Sequence, residues 1–549
     1  MDVSRRTALK GLVTAAGAGA LSLAGSSGVA YAASAARQGA VRDRLSAGLP
    51  SPRTVMSWIE LVNGRFGPQR LTGDDNHRGF VNWLDSQLSS AGFSVERDTY
   101  TLQRWAADAS RDVSAWVELP GRDRRALDVL SPVAYSGSTR GSGPVSGRAV
   151  YVPVGDGTLA QAVTALLAAP PADLAECVVA LESPCQSSPA ATVWGTDPAG
   201  LALSAPHIST PYQWFNPLGA TYAELAGRCR GIVYCWTNVS DERARWVYAP
   251  PSMAPSTATI PAVWVGAGTA ALLRDLSAQG ASIGIRLDAR VYPHTPTDTL
   301  IATLPGASDE VMAIGSHTDG VNIVEENGAL AVLALGLQAA RLPRAQRPRS
   351  LALYLATGHF AGAALTDPST ATGPFGQLGA DAAGAWRDHP EIVSKTVVAL
   401  AAEHLGATEW AQTSRGFGPT GLPEAQHWYV GSHAAGTTTA PDSANQVIAD
   451  VTLAAGAGYP ERLLRMQVEK TGQASPESGP ATKAAIPSMG LIPVPDYMVT
   501  AAPNGEIDKF DLDIMYTQLK ILSAMTQTFN GLSAQQIAGT APLPASVHA

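Results

Sequence analysis

The sequence predicts an α/β protein: a three-layer sandwich with a mostly parallel central sheet between helices, interrupted by an inserted, mainly-β unit. Three observations lead there. "VMAIGS" (311–316), "SLALYLAT" (350–357) and "TVVALAA" (396–402) are continuous apolar runs, the pattern of strands buried on both faces. "NGALAVLALGLQAARL" (327–342) lies between the first two at helical length and supplies a crossover. From 128 to 292 the texture changes to short strands separated by Gly/Pro/Ser turns, as in a unit with its own core.

The 549 residues suggest two or three domains, and 45% apolar with 15% charged residues suits a globular core. Expected boundaries are a leader at 1–32, the first part of the α/β unit at 33–127, the insertion at 128–292, the rest of the α/β unit at 293–535 and a tail at 536–549. The net charge of −8 comes without a basic block, which speaks against nucleic acid or an anionic membrane surface as partner.

In the leader, Arg5 and Arg6 precede a Gly/Ala-rich, weakly apolar stretch that closes on Ala30-Tyr31-Ala32, a small-x-small cleavage pattern. The paired arginines resemble a twin-arginine export signal, with Ala8 where a Phe is usual. Cleavage after Ala32 would release an exported protein with no membrane anchor.

"GDDNHRGFVNWLDSQLSSAGFSVERDTY" (73–100) opens with an Asp cap and spaces Phe80, Leu84 and Leu88 by four, predicting an amphipathic helix that stops at Gly92 before a strand. "DVSAWVELPG" is a second strand ending in a Pro-Gly turn. The insertion supplies "GPVSGRAVYVPVGDG", "CVVALESPC", "GRCRGIVYCW" and "IPAVWVGAGTAALLRDLSAQGASIGIRL". Its order resembles the protease-associated (PA) domain, through Gly147–Val152, Gly231-Ile232-Val233 and Ile260–Val265 before a helix. "LDIMYTQLKILSAMTQTF" is the last helix.

All four cysteines, Cys177, Cys185, Cys229 and Cys235, fall in the insertion, and an even number in an exported chain favours disulfides. Read as a strand, "CRGIVYC" holds its two cysteines about 20 Å apart, too far for a bridge. Cys229 and Cys235 would then each pair with Cys177 or Cys185; buried thiols are the alternative.

Each of the three apolar runs ends in ionisable residues: His317 and Asp319, then His359, then Glu403 and His404. In an open parallel sheet, ligands bind beyond the carboxyl ends of the strands, and neighbouring ends lie about 5 Å apart. Glu325 and Glu326 sit just before the crossover helix on the same edge. Imidazoles and carboxylates gathered there suit one divalent cation of the zinc class. His317 and Asp319, two apart, point the same way if extended, so the Asp319 carboxylate can accept the second imidazole N–H. The same alternation lets one of Glu403 and His404 face inward, and Glu403 is the expected one.

On these residues the chain resembles the M28 zinc aminopeptidases, over nearly all of 55–530. The resemblance implies an M28-like sandwich carrying a PA insertion and a site for metal-dependent hydrolysis of peptide or peptide-like substrates. Carried over, His317 is a metal ligand with Asp319 as its orienting carboxylate, Glu326 stands at the shared carboxylate, and Glu403 at the later acidic ligand. His359 falls at the general-base position, and Phe360 where a second ligand belongs. No His occupies the place of the last ligand, where Glu506 is the nearest substitute. The pattern thus keeps three ligands for one ion, His317, Glu326 and Glu403, and loses the second. Glu325 reads as a helix N-terminal charge, and Glu326 as either that or a ligand. His359 reads as either base or buried histidine. Two other functions fit the same pattern: a non-catalytic scaffold that binds peptide or protein, and a one-metal acyl-transfer or cyclising enzyme.

Overall fold

The computed structural model describes residues 45–185, 188–189, 207–208, 221–248, 259–360, 386–432, 443–470, 477–544 and 547. The predicted leader, 1–32, lies outside them.

Eight strands form the first sheet: β1 (Ser94–Ala106), β2 (Arg290–Leu304), β3 (Val311–His317), β4 (Ser350–Ala356), β5 (Thr396–Ala402), β6 (Ala425–Gly431), β7 (Arg465–Lys470) and β8 (Ser488–Leu491). Their order is β1-β2-β4-β3-β5-β8-β6-β7. The central four, β4, β3, β5 and β8, are parallel. The long β1–β2 pair and β6 join antiparallel at the flanks. The three apolar runs are therefore β3, β4 and β5, side by side as expected.

Alternation along these strands feeds two cores. Met312, Ile314, Leu353 and Leu400 pack with the helices Pro52–Arg65, Asp75–Ser90, Gly328–Ala340 and Leu512–Gly531. Ala313, Tyr354 and Ala399 face the opposite layer, with Trp386 and Ala481. Helix Asp75–Ser90 begins where the Asp74 side chain accepts the His77 N–H at 2.6 Å, and it buries Phe80, Leu84 and Leu88. Each such side chain contributes about 1.5–3 kcal/mol. The crossover helix Gly328–Ala340 is buried almost all round, which is why its sequence lacks a polar face.

The second sheet also has eight strands, with Val145–Val152, Cys177–Ser183, Gly231–Trp236 and Ala262–Val265 running parallel at its centre. It recruits Val113–Glu118 and Arg125–Leu127, which the sequence reading had placed in the first unit, upstream of residue 128.

The expected disulfides are not formed: none of the four buried cysteines is bridged. Strand Gly231–Trp236 starts after Cys229, and its alternation turns Cys235 into the core opposite the one that holds Cys177, Cys185 and Cys229. Burial pushes the Cys229 thiol up to about 12, and that of Cys235 up as well.

Candidate metal centre

The parallel strands deliver their ends to one edge. His317 closes β3 in register with Ala356 of β4, and β5 stops at Ala402, one residue before Glu403. The loop after β3 is stapled at two points. Asn322 donates to the carbonyls of Tyr497, Met498 and Thr500 and accepts the N–H of Val324 and Glu325. Asn327 exchanges two hydrogen bonds with the backbone of Leu405, at 2.6 and 2.8 Å. Gly328 then starts the crossover helix so close to the strand ends that a Cβ would strike the Ala402 carbonyl and the Ser316 hydroxyl.

Two imidazoles are oriented by the backbone. His317 Nδ1 lies 2.7 Å from the Asp319 carbonyl oxygen, and His404 Nδ1 lies 2.5 Å from that of Pro493. A carbonyl can only accept, so both Nδ1 atoms donate, and in the neutral imidazole Nε2 is left with the lone pair a metal takes. His317 Nε2 is 3.7 Å from Glu325 Oε1 and 3.6 Å from Glu403 Oε2. His404 Nε2 is 3.8 Å from each of the same two oxygens. Both imidazoles thus stand near both carboxylates. His317, Glu325 and His404 offer atoms that all lie within 4.8 Å of one another, as do His317, His359, Glu403 and Glu477, so either group is near enough to share a zinc-class ion.

The buried charge asks for a cation. Glu325, Glu403 and Glu477 are each no more than 3% exposed. Nε2 of His317 and of His404 are buried with no hydrogen-bond partner, as are the second carboxylate oxygens, Glu325 Oε2 and Glu403 Oε1. Unpaired buried carboxylates are strongly disfavoured, and a divalent ion would offset both charge and lost hydrogen bonds. Burial and His359 lower the pKa of His317, but Glu325 and Glu403 outweigh them and hold it above the ordinary value. The donor set therefore fits a zinc-class ion.

The predicted residues divide. His317 and Glu403 come together at the centre. His359 stacks on His317 with ring centroids 4.2 Å apart, and its side chain is 23% exposed, at the rim. Its Nε2 is 3.9 Å from Glu325 Oε1, and its Nδ1 is 3.3 Å from Glu477 Oε1. Asp319 lies beneath. His317 bonds its backbone carbonyl, while its carboxylate accepts the Thr72 hydroxyl and the N–H groups of His359 and Phe360, at 3.3 and 3.0 Å. The expected carboxylate–imidazole bond is thus replaced, because β3 ends at His317 and the chain turns before Asp319. Burial would raise the Asp319 pKa, but the neighbouring histidines and the Phe360 N–H leave it below the usual range.

Glu326 is placed elsewhere. Its carboxylate pairs with Arg70, and Glu325 takes the inward position, since adjacent residues in this turn face opposite ways. Glu506, the substitute for the missing His, pairs with Lys509 instead. His404 joins Glu403 because it adopts a left-handed conformation, φ 53°, that breaks the alternation of the strand. Sequence reasoning did not bring His404, Glu325 and Glu477 into this cluster, where the structure places them. An approach of several ionisable residues to one strand end was the signal for the first two, and Glu477 carried none.

No protein-family model and no curated protein matches the chain. Solved structures do. A peptidase M28 precursor from Shewanella amazonensis has a TM-score of 0.59 at 16% identity, covering 90% of this chain and 97% of that one. BSAP, a zinc aminopeptidase from Bacillus subtilis, gives 0.56 at 11%, covering 88% and 98%. An aminopeptidase from Aneurinibacillus sp. gives 0.54 at 13%, covering 88% and 95%. The fold is that of the M28 peptidases along nearly the whole chain. Among the described residues, no helix is long and apolar enough to cross a membrane.

Proposed function

We propose that the protein is an exported, metal-dependent hydrolase of amide bonds in peptides or peptide-like substrates, working with one divalent ion of the zinc class. The observation that carries this reading is the approach of His317 Nε2 and His404 Nε2 to Glu325 Oε1 and Glu403 Oε2, at 3.6–3.8 Å, with both imidazole nitrogens buried and without a hydrogen-bond partner. The M28 fold supports it, as does the leader-like N-terminus for export.

In this reading His317, Glu325, Glu403 and His404 hold the ion, in place of the set with Glu326. A bound ion would polarise the scissile carbonyl and make a neighbouring water acidic. His359 stands at the rim, where water and substrate would arrive. Its Nε2 accepts the proton of the attacking water, while Glu477 Oε1, 3.3 Å from Nδ1, stabilises the imidazolium that forms. The proton then passes from Nε2 to the leaving amine. Asp319 fixes the backbone of His359 and Phe360 and, through its own carbonyl, the tautomer of His317.

Metal analysis of the purified protein, followed by assays with aminoacyl and N-blocked peptides, tests the proposal. About one equivalent of zinc-class ion is expected, lost in Glu403→Ala and His404→Ala together with hydrolysis. A folded protein that takes up no ion after supplementation would favour a binding scaffold and end the hydrolase reading. Ion-dependent release of a cyclised product in place of the free acid would favour acyl transfer.

A further inference from the structure

A cavity of about 560 Å³ lies between the two sheets and takes no part in the proposed hydrolysis. Its walls come from the outer ends of β1 and β2, from residues 246–248 of the second-sheet unit and from the loop that caps helix Asp75–Ser90. The volume is within the range of sites that enclose a small ligand. Trp105, Trp246, Tyr248 and Tyr292 give it an aromatic lining.

Its charges are unequally satisfied. Asp108 and Asp112 both face Arg111, at 3.3 and 3.7 Å. Asp74 accepts the N–H of His77 and of Leu71, at 2.6 and 3.1 Å. Arg104 differs. Its guanidinium lies 4.1 Å from the Tyr292 ring centroid and close enough to Asp74 to favour that carboxyl's charged form, yet its Nε is buried with no hydrogen-bond partner. A buried donor on a permanent cation is costly until an acceptor arrives, and a carboxylate matches guanidinium geometry best.

The cavity shares two walls with the metal centre. The Thr72 hydroxyl bonds Asp319 while Leu71 and Asp74, in the same loop, face the cavity. Tyr248 packs on Phe360 at 6.2 Å, and the Phe360 N–H bonds Asp319.

We infer that this cavity is a second binding site, for a carboxylate-bearing ligand: Arg104 receives the anion and the aromatic side chains pack on its apolar part. The carboxylate follows from the cavity alone; that its bearer is a peptide, through its C-terminal acid or an acidic side chain, rests on the proposed function.

Calorimetric titration of the metal-loaded protein with N-acetylphenylalanine and its amide, which differ in the α-carboxylate, and with N-acetylaspartate α-amide and N-acetylasparagine amide, which differ in the side-chain carboxylate, tests the inference and separates the two carboxylate sources. The acids are expected to bind at least tenfold tighter than the amides, and Arg104→Gln should abolish that difference. Because an acid could also reach the metal, His404→Ala is the control, and it should leave the preference intact. Equal binding of acid and amide would overturn the inference, as would a preference lost in His404→Ala and kept in Arg104→Gln. Should Arg104→Gln not fold, the comparison between the natural protein and His404→Ala decides. Binding is read without turnover, so failure of the hydrolase reading leaves the result interpretable.

Discussion

Arg70 and Glu326 form an ion pair in which neither side chain has any solvent exposure. Arg70 is further tied through backbone bonds to Gly320 in both directions, at 2.9 and 3.0 Å. Burial lowers its pKa to about 9, against the opposing pull of Asp74 and Glu325, so it stays charged at neutral pH. Arg70→Met should therefore cost about 3–5 kcal/mol by leaving Glu326 buried and unpaired. The double change Arg70→Met/Glu326→Gln should recover most of this in chemical denaturation, and a double variant as unstable as the single would refute the pairing.

Removing the ion should soften the fold as well as stop turnover. With free ion at a hundred times its Kd, binding adds about 2.7 kcal/mol, so chelation should lower the Tm and re-addition restore it. An identical Tm with and without chelator would count against a site in this position.

His359→Gln should reduce kcat by about 10²–10⁴ while the ion remains bound, since His359 is placed to move a proton and is not one of the four donors. Glu477→Gln should produce a smaller loss. Full activity in His359→Gln would remove the base assignment and leave the metal centre standing.

The left-handed backbone of His404 separates ligation from folding. His404→Gly and His404→Ala both delete the imidazole, but glycine relieves a penalty of roughly 1 kcal/mol that alanine retains. Equal loss of metal, with the glycine variant the more stable, is the expected pattern in paired metal and denaturation measurements.

Glu424 provides a test by pH. Burial, then Asp496 and Glu409, push its pKa up to about 8, with Arg465 opposing. The folded state therefore holds a proton that the unfolded state releases near 4.5, so the group's stabilising effect is full below pH 4.5 and is lost as pH rises toward 8. Glu424→Gln should flatten this fall, raising stability at pH 8 by a few kcal/mol at most and changing little at pH 4.5. Unfolding midpoints across that range would show parallel curves if Glu424 does not titrate in this window.

The central sheet was legible because burial on both faces leaves an unbroken apolar run, as in β3, β4 and β5. β8 escaped because four residues, "SMGL", are too short to show a pattern. At the site, His317, His359 and Glu403 were readable from their place just past strand ends. Glu325 was exchanged for Glu326 because a turn has no periodicity to say which of two neighbours faces inward. His404 was set aside because strand alternation was extended one residue past the strand. Glu477, which follows no continuous apolar run in the sequence, reaches His359 through tertiary folding alone. The cysteines misled because their even number says nothing about which face of a sheet each occupies.

The separation of the donors along the chain sets an order of events in biosynthesis. A nascent polypeptide that has emerged only as far as the crossover helix carries His317 and Glu325 but neither Glu403 nor His404, and two donors grip an ion poorly. On the proposed ligand set, ion capture would wait until β5 has been synthesised and seated beside β3. Truncated or stalled chains should emerge empty, which makes loading a marker of completed synthesis.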